Sequence, residues 1–391
     1  MQVPTRFGRL PNYTFRQLRA LLGDHSPAGN VVDLSIGDPR HSFPDWIGDE
    51  IAANCAAFGR YPPACGTHEL RSAVSHWIKA RYQVEIDPDA NVISTCGSRE
   101  ALFSFCIALC TGGDGEPQRH VLIPNPFYMV YLGGAVASCG LPCFVEASAA
   151  NGHFPDLESV GEEILERTSI AFACTPSNPQ GAIASLPYLE NLVSLAVEYG
   201  FRIFSDECYS EIYSSEPPPG ILQAVRNVGA GLENVVVFNS LSKRSNLPGL
   251  RSGFVVGGAA TVRHLKHFRS YSEPATPVPL QMAAAKAWRD EDHVAANRAR
   301  YRRKYALAAD ILGDWQGFQR PQAGLYLWID VGDGEDFALR LWKSRGVRVV
   351  PGAYFSTEAH GNNPGKSFVR VALVAEEDEL EDGLTGIRDC L

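Results

Sequence analysis

Residues 239–254 read Asn-Ser-Leu-Ser-Lys-Arg-Ser-Asn-Leu-Pro-Gly-Leu-Arg-Ser-Gly-Phe, and a short apolar run precedes them. The lysine of this stretch, Lys243, has three neighbours whose hydroxyl or guanidinium groups suit a phosphate: Ser240, Ser242 and Arg251. Taken alone, Lys243 would be interpreted as an ordinary loop lysine. The oxyanion-binding groups around it favour a different role, that of a nucleophile beside a phosphorylated ligand.

A lysine amine becomes nucleophilic when desolvation and neighbouring cations lower its pKa, and it can then form a Schiff base with a carbonyl compound. Because the neighbours of Lys243 suit a phosphate, the compound that fits is the phosphorylated aldehyde pyridoxal phosphate. The pattern Ser-x-Ser-Lys-x(7)-Arg-x-Gly in residues 240–253 resembles the lysine segment of the class I/II aminotransferases. These are fold-type I enzymes that use pyridoxal phosphate.

Composition narrows the possible functions. The chain has 391 residues, which predicts two domains, and its 35 basic and 44 acidic side chains give a formal charge of -9. No basic stripe interleaved with aromatics is present, so we expect no nucleic-acid partner. No signal-peptide core and no uninterrupted apolar stretch of about 18 residues is found, so we expect no membrane span and a cytoplasmic protein.

Ten cysteines raise the question of disulfides or zinc, but none forms a Cys-x-x-Cys pair. In a long chain without a signal peptide, thiols stay reduced. Cys106 and Cys110 lie one helical turn apart in an apolar segment, as core residues do. We therefore predict structural thiols and no metal site.

Short apolar runs alternate with helical patterns through the middle of the chain. The strand-like runs are 92–94, 121–123, 170–173, 202–205, 235–238 and 254–256, and helical segments near 100–110, 128–137, 186–200 and 221–230 separate several of them. This alternation predicts an α/β fold with a mostly parallel sheet covered on both faces, which is a three-layer α/β/α large domain.

A long helical region, 259–312, follows, and the remainder contains the strand-like runs 325–329, 347–350 and 368–372. We expect these to form a smaller α/β domain joined by the N-terminal segment. The predicted bounds are 45–285 for the large domain, with 1–44 and 286–391 in the small one.

Several candidate ligand-binding residues follow predicted strands. Gly97 and Ser98 form a turn before a helix, whose N-terminal amides favour a phosphate, although Ser98 could serve only as an N-cap. Gly37, in a Gly-Asp-Pro turn, could let backbone approach a ligand or simply form the turn. Tyr128 could stack on a ring, although a loop aromatic is more often packing. Asn178 precedes a proline, and Asn-Pro also makes ordinary turns.

Asp206 gives a sharper signal, because it is an acid at the end of an apolar strand. A carboxylate beside the pyridine nitrogen keeps that nitrogen protonated, which makes the cofactor an electron sink. Tyr209 follows three residues later, within reach of the phenolate oxygen.

Taken together, these segments match the class I/II aminotransferase pattern over nearly the whole chain. The resemblance implies that Lys243 carries the cofactor, that Asp206 pairs with its ring nitrogen, that Asn178 and Tyr209 hold its phenolate and that Tyr128 stacks on its ring. It implies a phosphate site that includes Gly97, Ser98, Arg99, Ser240, Ser242 and Arg251. Arg370 would grip the substrate α-carboxylate through two parallel hydrogen bonds, with Gly37 leaving room beside it.

The resemblance also implies a homodimer with shared active sites. In the family pattern, a tyrosine in the loop before a Pro/Gly turn reaches the cofactor phosphate of the other subunit, and Tyr61 occupies that position. The alternative is that Tyr61 packs only against its own loop.

Segments 97–105, 205–213 and 240–254 resemble the succinyldiaminopimelate aminotransferase subfamily of bacterial lysine biosynthesis. This resemblance implies N-succinyl-LL-2,6-diaminopimelate as amino donor, with 2-oxoglutarate and glutamate as the partner pair. Arg40 and Arg99 are the cations that could receive the distal carboxylates. Residues 271–274, Tyr-Ser-Glu-Pro, stand where the subfamily tends to carry Tyr-His-Gly, and the carboxylate of Glu273 would repel a succinyl group.

Three alternatives remain open at this stage. The chain could be an aminotransferase for aspartate, aromatic or other amino acids. It could be a lyase that uses the same cofactor for β-elimination or decarboxylation. It could also be the aminotransferase-like module of a cofactor-sensing regulator. We favour an aminotransferase with a ping-pong cycle, acting on small-molecule amino and 2-oxo acids.

Overall fold

The computed structural model describes residues 5–112, 116–272, 275–359 and 361–391. The strands are β1 Val32–Asp33, β2 Val92–Thr95, β3 His120–Asn125, β4 Leu141–Glu146, β5 Thr168–Cys174, β6 Arg202–Asp206, β7 Val235–Ser240, β8 Gly253–Gly257, β9 Tyr326–Asp330, β10 Val347–Arg348, β11 Val350–Pro351 and β12 Phe368–Ala372. The α-helices are α1 Thr14–Leu22, α2 Trp46–Ala53, α3 His68–Tyr82, α4 Ser98–Leu109, α5 Met129–Ala137, α6 Glu162–Glu166, α7 Leu186–Tyr199, α8 Ile221–Val228, α9 Leu241–Arg244, α10 Ala259–Ser272, α11 Val278–Arg289, α12 Asp292–Leu312, α13 Gly334–Arg345 and α14 Glu377–Arg388.

Seven strands form the large sheet in the order β2-β8-β7-β6-β5-β3-β4. The pairs β7–β6, β6–β5, β5–β3 and β3–β4 are parallel, whereas β8 is antiparallel to both of its neighbours. Every residue of β5, β7 and β8 is buried. Strands buried on both faces are near-continuous apolar runs, and such runs predicted these strands.

Helices cover both faces of this sheet. One core cluster packs α3 and α11 onto it through Trp77, Trp288 and Phe254. The cluster on the other face contains Phe105 of α4 and Tyr131 of α5. Burying one such side chain contributes about 1.5–3 kcal/mol. These two cores confirm the predicted three-layer α/β/α arrangement with a mostly parallel sheet.

A smaller antiparallel sheet has the strand order β11-β12-β9, and β1 pairs in parallel with β10 beside it. Its core includes Leu327, Val369 and Leu384, together with Leu34 from the N-terminal segment. The predicted smaller α/β unit is therefore present. Its exact bounds, 1–44 and 286–391, stay a prediction.

Some elements differ from the sequence expectation. Strand β4 was not predicted, because it lies at the sheet edge and its residues are only partly buried. The helical region 259–312 is divided into three helices, with Pro277 as the N-cap residue of α11. A proline interrupts a helix because it has no backbone N–H to donate. No helix within the described ranges is long and apolar enough to cross a membrane.

Candidate active site

A cavity of about 310 Å³ opens at the carboxyl edge of the large sheet. It gathers nearly all of the predicted site residues: Gly37, Ser98, Arg99, Tyr128, Asn178, Asp206, Tyr209, Ser240, Ser242, Lys243, Arg251 and Arg370. The topology explains this convergence, since parallel strands end at one edge and open α/β folds bind ligands there. Asn178 follows β5, Asp206 ends β6 and Ser240 ends β7.

Lys243 lies on the four-residue helix α9, directly after β7. Ser240 is the N-cap of this helix, and its hydroxyl accepts a hydrogen bond of 3.3 Å from the backbone N–H of Ser242. The Lys243 ammonium donates to the backbone oxygen of Gly37. The lysine therefore reaches across the cavity to the segment that follows β1.

A second set of contacts holds the backbone of α9. The amide Nδ2 of Asn297, on α12, donates to the carbonyl oxygens of Lys243 at 3.2 Å and Arg244 at 3.3 Å. The Arg244 guanidinium is fully buried, donates to the carbonyl of Ala287 at 2.7 Å and lies 4.8 Å over the ring of Trp288. The two Asn297 hydrogen bonds satisfy carbonyls of α9 that so short a helix cannot satisfy itself.

Asp206 presents a buried carboxylate to the cavity. One oxygen accepts a 2.7 Å hydrogen bond from the Tyr131 hydroxyl, and the other accepts a 3.3 Å bond from the Cys208 backbone N–H. Burial raises the pKa of the Asp206 carboxyl, and the hydrogen bonds from Cys208 and Tyr131 oppose that rise. Such a carboxylate gains from a cationic partner.

The Arg251 guanidinium and the start of helix α4 mark the end of the cavity opposite Asp206. The N-cap of α4 is Gly97, so the alternative of Ser98 as N-cap is wrong, and Ser98 is the first helical residue. A Cβ on Gly97 would lie 2.6 Å from the Arg251 guanidinium, which donates to the backbone oxygens of Cys96 and Pro248. Glycine thus lets the start of α4 approach the arginine closely. Free helix amides, hydroxyls and a guanidinium are the donors that a phosphate dianion needs.

Arg370 is the buried cation of the cavity. It lies on β12, is 4% exposed, and donates to the Ser35 carbonyl at 3.0 Å and to the Asn178 side-chain oxygen at 3.3 Å. Its guanidinium lies between the rings of Tyr326 at 4.1 Å and Phe355 at 4.0 Å. Its Nε has no hydrogen-bond partner in the described part of the chain. An unpaired donor on a buried cation suits a carboxylate ligand.

Tyr326 is a cavity residue that the sequence analysis missed. Its hydroxyl lies 3.5 Å from that of Tyr209. A Cβ on Gly37 would lie 1.9 Å from the Tyr326 oxygen, so the space that Gly37 leaves is filled by Tyr326 rather than kept beside Arg370 as expected. Burial opposes ionisation of both phenols. It raises the pKa of Tyr209, but the positive charges of Arg370 and Lys243 outweigh it and lower the pKa of Tyr326.

The mouth of the cavity is open and carries one positive and one negative side chain. Arg99 and Asp38 are exposed there, and the Arg99 guanidinium lies 6.0 Å over the ring of Tyr13. Tyr128 lines the wall deeper inside, edge-on to Tyr131 at 5.7 Å between ring centroids. Its partly buried ring is available to a planar ligand.

Two predicted residues, Tyr61 and Arg40, do not line the cavity. Tyr61 is fully exposed and is not among the described residues that line the cavity. Arg40 was expected near the distal carboxylates, but it forms a 2.9 Å salt bridge with Glu379 on α14, and that expectation is wrong. Glu273 lies outside the described residues.

Comparison with known proteins identifies the family. The sequence pattern described as Aminotransferase class I and II matches residues 29–387. The chain belongs to the class I and II aminotransferases. The predicted resemblance is therefore confirmed, and with it an aminotransferase that depends on pyridoxal phosphate and acts on amino and 2-oxo acids.

Relatives match the aminotransferase over its whole length. It is 33% identical to the LL-diaminopimelate aminotransferase of Desulforudis audaxviator, covering 99% of this chain and 97% of that one. An aminotransferase from Neisseria meningitidis superposes with a TM-score of 0.95 at 37% identity, covering 99% of each chain. A probable N-succinyldiaminopimelate aminotransferase from Thermus thermophilus has a TM-score of 0.83 at 26% identity, covering 96% and 97%.

The cavity fits the cofactor at both ends. When bound, pyridoxal phosphate supplies an aldehyde for the substrate amine and a ring that withdraws electrons from the reacting carbon. The buried Asp206 carboxylate suits its ring nitrogen, and the Ser98–Arg251 end suits its phosphate. None of the ten cysteines, which all lie in the described ranges, forms a disulfide. Among the described residues, no group of three or more His, Cys, Asp or Glu could hold a metal ion.

Proposed function

We propose that the aminotransferase acts through Lys243, which binds the cofactor aldehyde and then moves a proton at the substrate Cα. Asp206 keeps the ring nitrogen protonated. Asn178 and Tyr209 donate to the phenolate, and Tyr128 stacks on the ring. Lys243 suits the proton transfer because its ammonium already crosses the cavity to Gly37, toward the Arg370 side.

The phosphate site in this proposal consists of Gly97, Ser98, Arg99, Ser240, Ser242 and Arg251. Support comes from their convergence: apart from Gly97, which packs against Arg251, all of them line the cavity. Arg370 binds the α-carboxylate of the substrate through its unpaired Nε and the neighbouring nitrogen, since a guanidinium fork matches a carboxylate.

We further propose that the amino donor is built on LL-2,6-diaminopimelate, that 2-oxoglutarate is the acceptor and that the reaction belongs to lysine biosynthesis. The observation that carries this is a pair of guanidiniums open to one cavity, Arg370 deep inside and Arg99 at the mouth. A donor with a carboxylate at each end can engage both, because the five N–H donors of Arg99 can serve this carboxylate as well as the phosphate. The names of the Desulforudis and Thermus relatives point to the same class of donor.

The free and N-succinyl donors differ at the distal end. The subfamily resemblance favours N-succinyl-LL-2,6-diaminopimelate, whose distal end carries two carboxylates, a neutral amide and no ammonium. Asp38 at the mouth favours free LL-2,6-diaminopimelate, because its carboxylate attracts the distal ammonium and repels a succinyl carboxylate. Asp38 is exposed, and a charge pair with an exposed group is worth about 0–1 kcal/mol.

A donor screen tests this proposal. We compare kcat/KM for transfer of the amino group to 2-oxoglutarate from each diaminopimelate donor, from aspartate and from an aromatic amino acid. We expect one of the two diaminopimelate donors to give the highest value, with Asp38→Asn shifting the ratio toward the N-succinyl form. A higher kcat/KM for aspartate or for the aromatic amino acid would refute the proposal.

We also propose a homodimer in which Tyr61 of each subunit reaches the cofactor phosphate of the other. Full exposure of Tyr61, with the half-exposed Phe58 beside it, supports a surface that a second copy covers. Cytoplasmic location stays a prediction.

A further inference from the structure

Lys304 is a fully buried lysine in the middle of α12, outside the cavity. Its ammonium donates to the carbonyl oxygens of Leu373 at 3.0 Å and Ala375 at 2.5 Å, and to the ring nitrogen Nε2 of His41 at 2.9 Å. A lysine ammonium has three protons, so each of them has a partner. Lysine is almost never fully buried unless its charge is satisfied in this way.

The partner of Lys304 on the N-terminal side, His41, is itself buried. Its Nε2 accepts from Lys304, while its Nδ1 faces the Glu376 carboxylate at 3.5 Å. The ring packs edge-on against Tyr301 at 5.6 Å between ring centroids. Because an ammonium can only donate, the imidazole must be neutral, with its single proton on Nδ1 toward Glu376.

These contacts join two segments that border the cavity. His41 lies four residues after Gly37, whose carbonyl accepts from Lys243. Leu373 lies three residues after Arg370 and directly follows β12. Lys304 therefore ties the segment after Gly37 to the end of the strand that carries the buried arginine.

We propose that Lys304 is a positioning residue for substrate binding: its three donated hydrogen bonds fix Gly37 and Arg370 relative to each other, and they do so only while His41 is neutral. The proposal rests on the role proposed above for Arg370 as the carboxylate-binding residue. Lys304 itself touches neither substrate nor cofactor.

The expected pH dependence follows from the groups around His41. Burial and the positive charges of Lys304 and Arg300 lower the pKa of His41, and Glu376 opposes them. The three hydrogen bonds of Lys304 are complete at neutral pH, where His41 is neutral. The bond to His41 is lost as the pH falls below about 6.5 and through the lowered pKa of His41. Lys304 also faces Glu377 and Arg40, and burial lowers the pKa of its ammonium to about 8. Above that pH the amine keeps only two donors.

The test is the pH profile of KM for the amino donor with the highest kcat/KM in the screen above, so that a wrong substrate assignment does not affect it. In the wild type we expect KM to rise about tenfold per pH unit once His41 protonates, as for a single titrating group, while kcat and the absorbance of the bound cofactor change little. His41→Gln keeps a neutral acceptor at every pH and should abolish the rise. The control His264→Gln changes an exposed histidine bonded to the Ala108 carbonyl and should keep the wild-type profile.

A rise of KM that persists in His41→Gln would overturn the proposal. Lys304→Met should raise KM about tenfold at pH 7 and make it independent of pH, and a folded variant with unchanged KM would also overturn it. If Lys304→Met does not fold, His41→Gln alone decides. Arg370→Lys tests the proposed role of Arg370 separately from that of Lys304. If this variant leaves KM unchanged, the proposed role of Arg370 fails, whatever the His41 result.

Discussion

Lys243 is the residue on which the proposed chemistry depends. Lys243→Ala should lower kcat by about 10²–10⁴-fold, the usual contribution of a positioned proton-transfer group. The fold should persist, and the cofactor should still bind without a covalent bond, because Asp206 and the phosphate site remain. Borohydride treatment of the wild type, followed by peptide mapping, should locate the cofactor on Lys243.

The matched control for this prediction is Lys266→Ala, which changes a half-buried lysine that donates to the Asp89 carbonyl. It should keep both activity and the visible absorbance of the cofactor. Labelling of any lysine other than Lys243 would contradict the assignment.

Tyr326 separates the work of a ring from that of a hydroxyl. Its ring covers the Arg370 guanidinium at 4.1 Å, and its hydroxyl faces Tyr209. Tyr326→Phe keeps the ring and should leave KM for the amino donor within about threefold of the wild type. Tyr326→Ala removes a desolvated cation–π contact worth about 2 kcal/mol and should raise KM by more than tenfold. Equal KM values for the two variants would show that the ring does not position Arg370.

Individual site residues were predictable where they follow a buried strand. Asp206, Asn178 and Lys243 each lie within five residues of the end of an apolar run, and parallel strands bring such positions to one edge. Tyr326 was not predictable, because it belongs to the smaller sheet and its contacts in the cavity, with Gly37, Tyr209 and Arg370, are all distant in sequence. Arg40 was misplaced, since nothing near it in sequence indicates the salt bridge to Glu379 on α14.

At the scale of elements, α9 depends on α12 for its stability. Asn297→Ala removes two hydrogen bonds to the carbonyls of Lys243 and Arg244, and leaving buried acceptors unpaired costs about 1–3 kcal/mol. We expect a loss of this size in the free energy of unfolding, measured in urea. Because Lys243 moves with α9, the absorbance of the bound cofactor should change as well.

Asn234→Ala is the control at this scale. Asn234 also donates to two carbonyls, those of Ala196 and Phe201. It directly precedes β7, at the end of that strand opposite the carboxyl edge where the cavity opens. A similar loss of stability with an unchanged cofactor absorbance is expected. If both variants alter the absorbance equally, α12 has no particular role in holding Lys243.

Most strands of the large sheet were predictable from their apolar runs. Features that depend on partners distant in sequence were not. Edge strand β4 is half-exposed, and Pro142 interrupts its apolar run. The strand-like run 31–36 predicts a longer strand than the two residues of β1, whose partner β10 is equally short. Lys304 lies in a helix that contains many charged residues, and sequence alone would place it in solvent.

For the whole molecule, the proposed dimer can be tested by mixing Tyr61→Phe subunits with Lys243→Ala subunits. In each heterodimer, the site with the intact lysine receives Tyr61 from the Lys243→Ala chain if the tyrosine acts across the interface. Its cofactor affinity should then equal that of the wild type, and the Tyr61→Phe homodimer should bind about 10–100-fold more weakly, since a hydrogen bond to a charged group contributes about 1.5–3 kcal/mol.

The same mixing experiment can also refute the dimer proposal. Affinity in the heterodimer no better than in the Tyr61→Phe homodimer would show that Tyr61 acts within its own chain. A monomer in sedimentation at the concentrations used for the assay would exclude a shared site.

The exposure of Tyr61 has a consequence for how the enzyme behaves on dilution. If one of the phosphate donors belongs to another molecule, cofactor retention follows mass action between subunits, and specific activity becomes a function of protein concentration. Stored dilute, the wild type should lose cofactor and activity with time, and added pyridoxal phosphate should slow that loss. Tyr61→Phe lacks the proposed contact between subunits. It should therefore hold its cofactor equally weakly at every concentration at which it remains a dimer.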